Sequence, residues 1–400
     1  MIEIKRPEAC CGCWACVQRC PERCIAMRAD TEGFLYPQVD KARCTDCGLC
    51  EKVCPVLHPN RPPEPSSVRA YACRNRDEGV RMASSSGGLF PLLAARTLAQ
   101  SGVVFGARFD GNFAVRHDFT ENAEGLERFR GAKYAQSVIG DSFIRVREFL
   151  KQGREVLFTG TSCQIAGLKR FLGRPYANLL AVDVLCHGVP SPEVLARYLG
   201  QQTGRLNRAA GRDYRLDRFE FRSKQDGGWE RYRVVSRYVP AAGSGEPVVL
   251  SVPFTGETYM RGFLHDLYLR PACHECPARR LSAGSDLTLA DYWGVGRRHP
   301  EMDDGRGTSL VVALTGPGER ALRALSGSLD TVETPLDDAI PGNPCLVRSV
   351  RPHRNRRRFF ASFDQTDDLA GLILQLTRTT WRDRIGRKIR GALLKAGLIR

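Results

Sequence analysis

The pattern C-x2-C-x2-C-x3-C-P occurs twice near the start of this 400-residue chain. It reads first as Cys10, Cys13, Cys16, Cys20 and Pro21, and again as Cys44, Cys47, Cys50, Cys54 and Pro55, so the repeat is offset by 34 residues. Spacings this short let three thiolates converge from one tight loop, and a remote fourth closes the cage. Paired C-x2-C spacing also suits zinc. Zinc does not account for the third cysteine or the proline of each run, so iron–sulfur chemistry is the stronger reading.

Two such runs mark a two-cluster bacterial ferredoxin, in which the fourth cysteine of each run ligates the other cluster. One 4Fe-4S cluster is then expected on Cys10, Cys13, Cys16 and Cys54, and a second on Cys44, Cys47, Cys50 and Cys20. Cys11 and Cys24 fall outside both patterns and are expected to be bystanders or thiols packed nearby. Sixteen cysteines could instead build a disulfide scaffold, but "MIEIKRPEAC" has no apolar signal region. A reducing cytoplasmic setting is expected. Apolar stretches such as "NLLAVDVL" fall short of a membrane span. The formal charge of +16 is reduced by anionic clusters but stays positive, which favours anionic partners. No recognised nucleic-acid module accompanies the charge, so nucleic acid is not expected.

"VLHPNRPPEPSS" reads as a linker, and beyond it the chain alternates strands and helices. "SSSGGLFPLLAARTLAQSG" predicts a helix entered through a small-residue loop, a place where backbone N–H groups can cradle phosphate. Such loops are more often plain caps. "EVLFTG", "TSCQIAGLKRFLG", "NLLAVDVLCHG" and "SPEVLARYLGQQTG" form a β-α-β-α unit with parallel strands and a right-handed crossover. Cys163 and Cys186 then lie beyond the carboxyl ends of neighbouring strands, on the edge where open α/β sheets bind ligands. Cys273 and Cys276 in "RPACHECPARR" complete a candidate four-thiolate site. A third cluster, a zinc site and a catalytic thiol all remain open for it. Cys73 and Cys345 are expected to be ordinary packed thiols.

The segments "EGFLYPQVD", "CTDCGLCEKVCP", "SSSGGLF", "VVFGARF", "KYAQS", "VLFTGTSCQIAGL", "VDVLCHGVPSP", "FRSKQDGGW", "RPACHEC" and "SDLTLADYWG" carry a further signal. In this order, from about Cys10 to about Leu314, the chain resembles the beta-subunit family of coenzyme F420 hydrogenases and dehydrogenases with an amino-terminal two-cluster module. The resemblance implies an FAD-containing oxidoreductase that passes electrons between iron–sulfur clusters and an organic two-electron acceptor, coenzyme F420 in the best-known members. It places Ser85, Ser86, Gly87 and Gly88 at the flavin pyrophosphate, and Lys133, Tyr134, Gln136 and Ser137 along the flavin and substrate pocket. It makes Cys163, Cys186, Cys273 and Cys276 cluster ligands near the flavin. Ser162 and Ala132 depart mildly from the family pattern, and the basic "PARRLSAGSD" departs in residue types, which bears on acceptor specificity.

The expected fold is an α+β ferredoxin-like module fused to a larger α/β flavin-binding domain, with a basic helical tail. The boundaries are 1-57 for the two-cluster domain, 58-67 for the linker, 68-150 and 151-345 for the two parts of the larger domain, and 346-400 for the tail. Trp381, Ile385, Ile389, Leu393 and Ala396 follow helical spacing in that tail. A basic amphipathic helix can meet an anionic membrane or an acidic partner, but packing on its own domain is the favoured reading. His187 is a candidate proton relay or a plain loop histidine, and Asp291, Tyr292 and Trp293 could pack against a ring system or form core. A redox partner protein or hydrogenase-type subunits are the expected partners. An electron-relay subunit without its own substrate is the alternative to the full enzyme.

Overall fold

The structure, a computed structural model, describes residues 1–378. Strands are numbered in chain order. The cysteine-rich module holds β1 (Ile25–Ala29) and β2 (Leu35–Val39). The larger body holds β3 (Arg69–Asn75), β4 (Val103–Phe109), β5 (Val115–Thr120), β6 (Val156–Thr161), β7 (Leu179–Val184), β8 (Tyr214–Ser223), β9 (Arg233–Pro240), β10 (Val248–Pro253), β11 (Leu287–Asp291), β12 (Ser309–Ala313) and β13 (Leu329–Thr334). Among the described residues, eight of these form one sheet in the order β13-β3-β12-β11-β7-β6-β4-β5. The middle four, β11, β7, β6 and β4, run parallel, among them the neighbours β6 and β7 that the β-α-β-α reading expects, and the flanking strands pair antiparallel.

The parallel strands are apolar on both faces because helices cover both. Val103, Phe105, Val156 and Phe158 pack with helices Ser142–Lys151 and Ser162–Leu172. Their neighbours Val104 and Leu157 pack on the other face with helix Leu89–Ala99. Helix ends follow the sequence signals. Gly153 and Gly173 take positive φ after the two helices on the first face, and Ser191 caps the next helix by accepting from Val194 N. That helix, Pro192–Ala210, passes through Gly204 and ends at Gly211, beyond the stop expected from the sequence. An interior glycine costs only roughly 1 kcal/mol, and the helix is anchored by buried Val194, Leu195, Tyr198 and Leu199.

A second sheet, β10-β9-β8, packs with that helix and with helices Arg356–Phe363 and Leu369–Leu376. Phe359, Phe363, Leu369, Ile373 and Leu376 are buried there, so these two helices belong to the core of the larger body rather than to a separate tail. Trp381, Ile385, Ile389, Leu393 and Ala396 lie outside the described residues. Among the described residues no helix is long and apolar enough to cross a membrane.

In the cysteine-rich module the internal repeat is visible in the backbone. Gly12 and Trp14 take left-handed φ of 69° and 67°, and their counterparts 34 residues later, Asp46 and Gly48, take 49° and 70°. Short helices Ala15–Arg19 and Leu49–Lys52 follow at the same positions.

Candidate functional site

The module encloses two chambers. One, of about 330 Å³ of empty space, is bordered by Cys10, Cys13, Cys16 and Cys54, with Cys11 also on its wall. The other, of about 320 Å³, is bordered by Cys20, Cys44, Cys47 and Cys50, with Cys24 beside them. Each chamber thus collects three cysteines of one run and the fourth of the other. Cys24 is more than a bystander in position, since its Sγ lies 3.4 Å from that of Cys20. Among the described residues no group of three or more His, Cys, Asp or Glu side chains is drawn together closely enough to hold a single metal ion.

A third and larger space, about 730 Å³ and partly open to solvent, lies at the carboxyl edge of β6 and β7, with Thr288 near the start of β11 also on its wall. Cys163 reaches it from the first turn of helix Ser162–Leu172, Cys186 from just past β7, and Cys273 and Cys276 from the loop Pro271–Glu275 and its end. Burial pushes Cys273 and Cys276 up to about 12, with neighbouring thiols adding to the effect. Cys345, expected to be an ordinary packed thiol, also borders this pocket. Its Sγ lies 3.8 Å from His187 Nδ1, and His187 Nε2 lies 2.6 Å from Asp266 Oδ1. Burial opposes the charged form of His187, but Asp266 and Cys345 outweigh it and raise the pKa to about 9. Arg279, Arg280 and Arg348 are exposed and line the same pocket, giving it a cationic rim.

Asp183 was not singled out by sequence reasoning, although a carboxylate inside the apolar run "LLAVDV" is a signal. Its carboxylate accepts from Ser162 Oγ at 2.5 Å, Ser285 Oγ at 2.7 Å and Thr288 Oγ1 at 2.6 Å. Burial raises its pKa despite these bonds. Through Ser162 it steadies the helix start that carries Cys163.

The residues assigned to the flavin fall in two places. In the small-residue loop, Gly87 N donates to Ser309 Oγ at 2.9 Å, so this amide is not free for phosphate. The Ser85 hydroxyl is buried without a partner among the described residues. Lys224, just past the end of β8, donates to the carbonyls of Ser86 and Arg306 at 2.6 Å and of Arg81 at 2.8 Å. Burial, then Arg222 and Arg81, push its pKa down to about 7. Arg222 was likewise missed. Its side chain is 4% exposed, Nη1 bonds Asp291 Oδ2 at 2.5 Å, and Nε and Nη2 have no partner among the described residues.

The 133–137 segment is divided. Tyr134 lies beside Arg222 and stacks on Phe263 with centroids 4.7 Å apart. Lys133 Nζ donates to Arg130 O at 2.7 Å and Gly131 O at 3.1 Å, and burial lowers its pKa to about 7. Ser137 Oγ accepts from Gln164 Nε2 at 2.8 Å and bonds His117 Nδ1 at 3.0 Å. Gln136 reaches the cysteine-rich module, where Nε2 donates to Cys11 O at 3.1 Å. Asp291 joins the Arg222 group and also accepts from Trp229 Nε1 at 2.8 Å. Trp293 stacks on Trp229 at 4.8 Å, and Tyr292 is core.

Residues 9–57 match the 4Fe-4S dicluster domain, and residues 153–338 match the carboxyl-terminal region of the family described as coenzyme F420 hydrogenase/dehydrogenase, beta subunit. The chain joins a 4Fe-4S dicluster domain to the carboxyl-terminal domain of the coenzyme F420 hydrogenase/dehydrogenase beta-subunit family. In this beta-subunit relative the second match takes in β6 to β13, and with them the four pocket cysteines, Arg222 and Lys224. Ser85–Gly88 and Lys133–Ser137 lie outside both matched segments. The chain is also 39% identical over 66 residues to "Ferredoxin 7Fe" of Hydrogenibacillus schlegelii, a match that covers 16% of this chain and 76% of the ferredoxin. A chain of the xenon-derivatised F420-reducing NiFe hydrogenase complex from Methanosarcina barkeri aligns with a TM-score of 0.42 at 17% identity, over 77% of this chain and 89% of its own. The protein is an iron–sulfur electron-transfer protein related to the F420 hydrogenase beta subunit.

Proposed function

We propose that this protein is an iron–sulfur flavoprotein oxidoreductase that passes electrons between ferredoxin-type 4Fe-4S clusters, FAD and an organic two-electron acceptor, with coenzyme F420 the acceptor that the family suggests. The observation that carries the reading is the sorting of twelve cysteines into three chambers, two of them with the crossed ferredoxin pattern and the third at the ligand-binding edge of the sheet. Cys10, Cys13, Cys16 and Cys54 would hold one cluster, Cys20, Cys44, Cys47 and Cys50 a second, and Cys163, Cys186, Cys273 and Cys276 a third.

The fit of FAD rests on polar groups that the protein itself leaves unanswered. Ser85 Oγ and two nitrogens of Arg222 are buried without partners among the described residues, and a buried donor left unmade costs about 1–3 kcal/mol. Ser85, Ser86 and Arg222 would bind the flavin's polar groups, with Lys224 holding the small-residue loop in place through its carbonyls. FAD bound there would supply the exchange between one-electron and two-electron carriers. The cationic rim of Arg279, Arg280 and Arg348 favours an anionic acceptor. Hydrogenase- or dehydrogenase-type subunits, or a separate redox protein, would supply or remove electrons at the cysteine-rich module.

Anaerobic purification with iron, zinc and flavin assays, followed by absorbance measurement of F420 reduction, tests the reading. About twelve irons and one flavin per chain with turnover are expected, since each cluster holds about four irons. About eight irons would remove the third cluster, bound flavin without turnover of F420 would favour the relay subunit, and zinc without iron would overturn the whole assignment.

A further inference from the structure

Cys11 stands outside both cysteine runs, yet it occupies the wall between two of the thiol chambers. It is 5% exposed and borders both the chamber of Cys10, Cys13, Cys16 and Cys54 and the pocket of Cys163, Cys186, Cys273 and Cys276. Among the described residues no other lines both. Cys11 and Cys13 are buried in one hydrophobic cluster, and the partly buried Cys163 packs against it.

The surroundings hold this arrangement from both directions. Gly167 lies one turn into the helix that carries Cys163, and a Cβ there would stand 2.8 Å from Cys13 Cβ and 2.9 Å from its Sγ. The helix backbone therefore rests directly on Cys13. From the other side, Gln136 Nε2 holds the Cys11 carbonyl at 3.1 Å and Arg270 Nε holds the Cys10 carbonyl at 2.7 Å. Gly12 makes room for both, since a Cβ there would meet Gln136 Nε2 at 2.5 Å and Arg270 Nη1 at 2.8 Å. The second chamber shares no lining residue with the pocket and carries the exposed Cys47, which makes it the outer end of the series.

We infer that Cys11 is the junction through which electrons pass between the Cys10/Cys13/Cys16/Cys54 chamber and the Cys163/Cys186/Cys273/Cys276 pocket, with Gly167 setting the gap they cross. The inference rests on the ligand assignment made under the proposed function. The step moves one electron from a reduced cluster in the chamber to an oxidised centre at the pocket, and no bond or proton is exchanged. Electron tunnelling weakens steeply with any unbridged gap. A polarisable sulfur placed between two ligand thiols therefore sets the favoured route.

The test uses the full-length protein, purified anaerobically with its clusters. Electrons are delivered by methyl viologen radical from pulse radiolysis, and the readouts are iron per chain, the EPR signals of the reduced clusters, and the rate of flavin bleaching. Cys11→Ala is expected to keep the parental iron count and cluster signals and to slow flavin bleaching by roughly tenfold or more, with Cys11→Ser in between. Gly167→Ala removes no thiol, but its Cβ must push Cys13 and the helix apart, and it is expected to slow the same step. A parental rate of flavin bleaching in Cys11→Ala would overturn the junction while leaving the proposed function intact. Loss of about four irons from that variant would make Cys11 a ligand and overturn it too. Parental protein with about eight irons and no flavin would remove the proposed function, and the junction with it.

Discussion

Arg222 is a side chain that its own protein leaves only partly satisfied. It sits between the rings of Tyr232 and Trp293, 4.7 and 5.4 Å from their centroids, and uses one nitrogen on Asp291. Cation–π contacts and the ion pair justify its charge, but they leave Nε and Nη2 unanswered among the described residues. An anionic or carbonyl-rich ligand would answer them. Arg222→Gln is therefore expected to keep the iron content of the parent and lose most of the bound flavin, as read from the flavin absorbance released on denaturation. Parental flavin in that variant would assign Arg222 to packing alone. The sequence shows this residue only as one charge in "FRSKQDGGW", because alternation along a strand says which face a side chain takes and not which partners it meets there.

At the scale of elements, the crossed cysteine pattern is legible because it is local. The left-handed turns at Gly12, Trp14, Asp46 and Gly48 present three thiols from each short loop, and the spacing of those thiols is written in consecutive residues. β5 shows the opposite case. His117 stacks on Phe158 of β6 at 5.4 Å, contacts Thr159 O at 3.0 Å through Nε2, and bonds Ser137 Oγ through Nδ1. Burial lowers its pKa to about 4 from an ordinary 6.5. The folded state thus refuses a proton that the unfolded chain accepts between those values. The stability His117 contributes is fully present above about pH 6.5 and falls as the pH drops towards 4, by roughly 3 kcal/mol in all. Chemical denaturation of the parent and of His117→Gln across that range should show the shallower pH slope in the variant; equal slopes would mean that other groups carry the acid sensitivity.

Over the whole molecule, the cysteine-rich module is seated on the larger body by polar contacts at several points. Arg270, fully buried, donates to Cys10 O at 2.7 Å, Gln136 Oε1 at 2.7 Å and Leu35 O at 3.0 Å, and lies over the ring of Tyr36 at 4.3 Å. Arg356, from the helix that the sequence placed in a tail, pairs with Glu32 at 2.5 Å, and Ser191 Oγ donates to Glu32 O. Arg270→Ala would leave two carbonyls and an amide oxygen buried without a donor, at about 1–3 kcal/mol each. Calorimetry is expected to show the module melting separately, at lower temperature than the larger body; a single unshifted transition would mean that the remaining contacts suffice.

The sequence alone was enough for what lies in short spacing or local periodicity: the two cysteine runs with their crossed sharing, the parallel β-α-β-α unit, and the sheet edge that receives Cys163 and Cys186. The surroundings of Cys11, Cys345, Arg222 and Arg270 were decided by tertiary structure. Each depends on groups brought together from distant parts of the chain, such as Cys11 with Cys163 or Arg270 with Cys10. Spacing specifies which thiols can share a loop, because the backbone links them over a few bonds. Which side chains close the gap between two sites is set by how helices and sheets pack, and that packing is a property of the whole fold.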